Sequence, residues 1–196
     1  MSVFVRTLVV LAAAAAAATL PAQSLPVSVT VSGQTAVVRV GSPAAPLADV
    51  RLDFDDVTGL SPTSLGVSAE WIDVTSPALL ARLSGGSTLS VPPELPLLVT
   101  VEPPAFGGLS LRRVVNVELH THALIYTSGS RYRLLKAPLG GPFHDITGSV
   151  RPGSVRTRGS TPGFSQFIIA LDSRPTTQVV AEKIARLRAI VDRLPV

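Results

Sequence analysis

Apolar and polar residues alternate with a period of two through most of this 196-residue chain, which marks strands with one buried face. Val27, Val29 and Val31 interleave with Ser28, Thr30 and Ser32, and a turn at Gly33 and Gln34 leads into Ala36, Val38 and Val40. That pattern predicts a β-hairpin. A Pro/Ala linker over 41–46 precedes a third strand at Val50, Leu52 and Phe54, whose other face carries Arg51, Asp53 and Asp55. A strand over 67–74 holds Trp71, the sole tryptophan. Ser76 and Pro77 then offer the N-cap and N1 proline of a two-turn helix or a loop reaching Leu83. Strand character resumes from Leu97 to Val101.

The clearest strand pattern runs from Leu109 to about Tyr126. Val115, Val117 and Leu119 share one face, and Asn116, Glu118, His120 and His122 share the other. The stretch is long enough to bend or to change sheets. After a turn at Ser128 and Gly129, the segment 131–136 is expected to return as its hairpin partner. Short strands over 143–147 and 155–158 precede a last one over 164–171. Short strands separated by Gly/Pro turns predict a mainly β fold, an antiparallel β-sandwich of immunoglobulin-like or related type. It would occupy 23–172, as one domain or as two halves, 23–102 and 109–172.

The period then changes. Val180, Ile184, Leu187, Val191 and Leu194 recur at spacings of four and three, the single apolar stripe of an amphipathic helix over 176–194. A stripe of this kind is expected to pack on the sandwich; its alternative role is a dimerisation arm, although three turns are short for a coiled coil.

The other end of the chain speaks of location. Arg6 followed by an apolar run from Leu8 to Ala18 has the charged and hydrophobic regions of a secretory signal peptide. Cleavage after Ala22, or after Ala18, would release a mature chain into the periplasm or the medium. No later apolar segment is long enough to span a bilayer, so the mature chain is expected to carry no transmembrane segment. Cysteine is absent, and the fold must rest on its core without disulfides.

Charge adds an asymmetry. From Gln23 to Glu102 three Arg face eight Asp and Glu, a balance of −5, whereas from Pro103 to Val196 thirteen Lys and Arg face five acidic residues, a balance of +8. The halves are therefore suited to attract one another, within a chain or head to tail between chains. A pI near 10.3 raises nucleic-acid binding. Aromatic content of only 5 %, two lysines and basic residues scattered along strands favour a solvated surface with no nucleic-acid partner.

One cluster has the residue types and spacing of a chemical site. Glu118, His120 and His122 project from one side of a strand about 7 Å apart. A His-x-His pair can chelate a divalent metal when a third ligand joins it, and Glu118 or His144 is the candidate. With water in a fourth position such a site would serve a metal-dependent hydrolase or lyase; without metal, alternating polar residues are what a wet face requires. Asp53, Asp55 and Asp56 offer oxygen ligands but lack a calcium-loop pattern. Arg151, Arg156 and Arg158 could form an anion-binding corner, though exposed strand arginines are commoner. Neither a Gly-x-Ser-x-Gly elbow nor a phosphate-binding loop is present. The residues thus favour an exported binding, assembly or structural module, with a protein partner or self-association, over an enzyme.

The segments 117–123, 134–141, 143–147, 153–159 and 163–167, with 54–61 and 64–66 in the first half, resemble an uncharacterised family of exported bacterial proteins of unknown function. The ending Asp145-Ile146-Thr147 before a Phe-Ser-x-Phe strand is more loosely similar to bacterial cell-surface β-sandwich modules. Neither resemblance implies an activity.

Overall fold

The computed structural model describes residues 23–83, 88–124, 131–150, 156–161 and 163–192, with only the backbone described at 149, 150, 156–158 and 190. The signal segment, the turn at Ser128 and Gly129, Arg151 and Leu194 lie outside them. In chain order the strands are β1 (Gln23–Ser24), β2 (Val27–Ser32), β3 (Thr35–Ser42), β4 (Ala45–Phe54), β5 (Val57–Thr58), β6 (Val67–Trp71), β7 (Leu89–Ser90) and β8 (Leu97–Val101). There follow β9 (Ser110–Leu111), β10 (Val115–Thr121), β11 (Tyr132–Ala137), β12 (His144–Asp145), β13 (Thr147–Val150), β14 (Arg156–Thr161) and β15 (Gln166–Asp172). Helix α1 (Pro77–Arg82) lies between β6 and β7, and α2 (Thr176–Val191) closes the chain.

The protein is mainly β, built from antiparallel sheets with a C-terminal helix. A six-stranded sheet has the order β13-β14-β10-β4-β3-β2, and a seven-stranded one runs β1-β6-β8-β15-β11-β12 with β7 beside β15. Both sheets take strands from both halves of the chain. A two-stranded ladder, β5 with β9, stands apart.

One core joins the two large sheets. Val38, Val50, Leu52 and Val117 from the first meet Val99, Leu134, Phe167 and Ile169 from the second in a single cluster of buried residues. The six-stranded sheet turns its other face to water, so Val115, Val117, Leu119 and Thr121 are buried while Asn116 is exposed. The seven-stranded sheet is covered twice. Its second face buries Leu98, Leu135, Ile168 and Ala170 with Phe143 and with Leu79 of α1, which is why its strands read as apolar runs rather than alternations.

Three expectations are corrected. The segment 41–46 is not a linker: β3 and β4 form one long hairpin turning at 43–44, with a bulge between Val40 and Gly41. Gly41 has φ +100 and a Cβ there would lie 2.8 Å from the Ala45 carbonyl oxygen, so the bulge needs glycine. Pro46 is tolerated because β10 pairs β4 only as far as Ala48, leaving the proline at a ladder end. The predicted strand 109–126 is interrupted, β9 joining β5 while β10 enters the six-stranded sheet. Finally, β11 is no hairpin partner of β10; it pairs with β15 and β12 in the other sheet.

Candidate functional site

The wet face of the six-stranded sheet is ordered in cross-strand rows. Thr35, Asp53, Asn116 and Ser160 stand in register in one row; Val37, Arg51 and Glu118 in the next; Arg39, Asp49 and His120 in the third. Charges of opposite sign therefore face one another on neighbouring strands, the pairing that stabilises such ladders by a few tenths of a kcal/mol each, about 0.2–1. Asp53 accepts from Thr35 Oγ1 at 2.8 Å and from Arg51 Nε at 2.9 Å, which commits it away from Asp55 and Asp56.

The third row departs from simple pairing because two imidazoles converge on one carboxylate. Asp49 Oδ2 lies 3.8 Å from His120 Nδ1 and 3.5 Å from His122 Nε2. The imidazole centroids are 4.7 Å apart and the rings tilt by 45°, closer than the strand repeat of about 7 Å. The reason is local: β10 ends at Thr121 and His122 enters a bend. Its backbone N–H donates to the Leu47 carbonyl at 3.1 Å, and Thr121 Oγ1 donates to the Leu124 carbonyl at 3.1 Å. Arg39 Nε donates to the other Asp49 oxygen, Oδ1, at 3.1 Å and turns Oδ2 toward the histidines. One ligand atom from each of Asp49, His120 and His122 falls within 4.8 Å of the other two, the group of metal-ligating side chains found among the described residues.

The structure places the predicted candidates unequally. His120 and His122 come together. Glu118 is buried and stands one row away, opposite Arg51; His144 is on β12, at the edge of the other sheet. The third member is Asp49. Its position on the outer face has the same parity as Arg51 and Asp53, a signal hidden by starting that strand at Val50.

The second region of interest lies beneath α2. A cavity of about 360 Å³ is lined by Arg133, His144, Asp145, Asp172, Arg174 and Lys183, among others. Lys183 Nζ meets Asp145 Oδ2 and the Thr147 carbonyl, both at 2.9 Å. Arg174 binds Asp172 through two hydrogen bonds of 2.7 and 2.9 Å and reaches Glu182 at 2.6 Å. Burial pushes the Asp172 carboxyl up, but the hydrogen bonds and charge of Arg174, with the charge of Arg133, outweigh it and hold the group below the usual carboxylate range. Ionic contacts thus tether α2. Its apolar stripe does not face the core: Val180, Ile184, Leu187 and Val191 are 48, 44, 62 and 63 % exposed, while Val179 is buried. Val179 and Lys183, four apart, form the body-facing side because the cleft offers charges.

No helix among the described residues is long and apolar enough to cross a membrane. The chain belongs to the DUF6689 family of unknown function, whose family model matches residues 8–196. Neither the curated proteins nor the solved structures contain a match to it.

Proposed function

We propose that this is an exported β-sandwich protein whose work is binding and assembly, and that it assembles with further copies of itself, head to tail. The observation that carries the reading is the uncovered stripe of α2: four apolar side chains of one helix face stand in solvent, the kind of patch that marks an interaction surface. The shared core of the two large sheets supports the sandwich, and the leader pattern at the N-terminus supports export.

The complement to the stripe is on the same chain. Phe106 is fully exposed on a tight turn closed by the Gly107 N–H to the Pro104 carbonyl at 2.8 Å, which leaves its backbone little entropy to lose. Glu102, from the acidic half, is exposed nearby in sequence, and α2 carries Arg188 beside its apolar stripe. An aromatic knob with acidic company and an apolar helix face with basic company are two different patches. A contact between them is heterologous and propagates.

Light scattering on the secreted protein tests this. Mass is expected to rise with concentration and to fall back in salt, and both Phe106→Ser and Leu187→Ser should be monomers. Mixed together, those two variants retain one good knob and one good stripe and should form a dimer that grows no further. A wild type that stays monomeric at every concentration, or a Phe106→Ser variant that still assembles, contradicts the reading.

A further inference from the structure

We infer that Asp49, His120 and His122 form a binding site for a single divalent transition-metal ion of the zinc class on the wet face of the six-stranded sheet. The inference stands on side-chain geometry and is independent of how the protein assembles.

Ligand type comes first. Two imidazole nitrogens and one carboxylate oxygen are a set that suits zinc and its neighbours, whereas calcium and magnesium prefer oxygen alone. Spacing comes next. Zinc holds such ligands at about 2.0–2.2 Å, so the edges of a tetrahedral site are about 3.4 Å. Here the edges from Asp49 Oδ2 are 3.5 and 3.8 Å, and all three ligand atoms lie within 4.8 Å of one another. Small rotations of half-exposed side chains close the difference.

Asp49 already accepts from Arg39 at 3.1 Å. Each imidazole has a ring nitrogen near the point that Asp49 Oδ2 faces, and a neutral imidazole can offer a lone pair there. A metal ion satisfies all three residues at once. Arg39 then has the part of an outer-shell partner, fixing the carboxylate so that Oδ2 faces the ion. Three protein ligands on an open sheet face leave a fourth position for water or for an anionic group of a ligand.

The backbone supports the same reading. Asp49 and His120 are directly opposite in the β4–β10 ladder, and the hydrogen bond from His122 to Leu47 ties the third ligand to the same β4 strand that carries Asp49. The site is thus built on two adjacent central strands and the bend that directly follows β10, which is tied back to β4.

Equilibrium dialysis of untagged protein against zinc, read by elemental analysis, tests the site. One equivalent is expected to bind and to raise the thermal midpoint, because an ion held only by the folded state stabilises it. Asp49→Asn, His120→Ala and His122→Ala should each remove both effects while leaving the metal-free midpoint near wild type. Arg39→Gln should weaken zinc by about tenfold, and His144→Ala should change nothing. No stoichiometric zinc, full binding in Asp49→Asn, or loss of binding in His144→Ala would overturn the assignment.

Discussion

The two large sheets contain similar numbers of strands and share one core, yet they are finished differently. The six-stranded sheet is covered on one side, and its other face carries rows of charged and polar side chains that include Asp49, His120 and His122. The seven-stranded sheet is covered on both sides, by the shared core and by a second cluster around Phe143, Ile168 and Leu79. Charged residues of β11, β12 and β15 gather beneath α2, where Asp172 and Arg174 meet. The difference places the Asp49, His120 and His122 cluster on the half-wet sheet and puts α2, with its exposed stripe, beside the doubly covered one.

That contrast breaks most visibly in stability. Phe143 is fully buried, with the Arg82 guanidinium 4.5 Å over its ring, so Phe143→Ala should cost about 3–5 kcal/mol. Urea unfolding would show it. A near-neutral result would mean that the second face of the seven-stranded sheet is not a core. Slightly smaller is the expected loss in Asp172→Ala, about 3 kcal/mol, because Arg174 and the buried Arg133 lose their carboxylate.

Acid sharpens the same point. The Asp172 carboxyl titrates below its ordinary value in the folded protein, so its contribution is complete above the unfolded value of about 3.9 and is lost as pH falls through the depressed folded one. The gap in unfolding midpoint between wild type and Asp172→Asn should therefore hold from pH 7 to about 4 and narrow below it. On the wet sheet the effects shrink. Val37 stands on the outer face between Thr35 and Arg39, half-buried, and Val37→Ala is expected to stay within about 0.5 kcal/mol of wild type. Leu187→Ser should be as mild in unfolding, the helix face being exposed, while altering the mass seen in light scattering.

The same contrast governs how much of the molecule could be read from its residues. Where one face is wet, alternation marks both strand and face, and β2, β3 and β10 were legible down to which side chains point inward. Where both faces are covered, Leu97 to Val99, Leu134 with Leu135, and Phe167 to Ala170 are plain apolar runs. Such runs reveal a strand without revealing its neighbours, so the pairing of β11 with β15 and β12 is not legible in them. The histidine pair was visible for the same reason that β10 was. Asp49 was not, because Pro46 made the start of β4 look like a linker; only the ladder with β3 shows the strand continuing through the proline. In α2 the period was legible but the orientation was not. Its stripe predicts a core-facing side, yet Asp145 and the Thr147 carbonyl draw Lys183 inward and rotate the stripe outward.

The most direct test of the contrast follows the three histidine side chains by long-range nitrogen–proton NMR during a zinc titration, with His144 as an internal control. The account predicts that the imidazole nitrogens of His120 and His122 shift together and saturate at one equivalent, while those of His144, at the edge of the covered sheet, stay where they were. Three unmoved histidines, or a His144 that moves with the others, would contradict it.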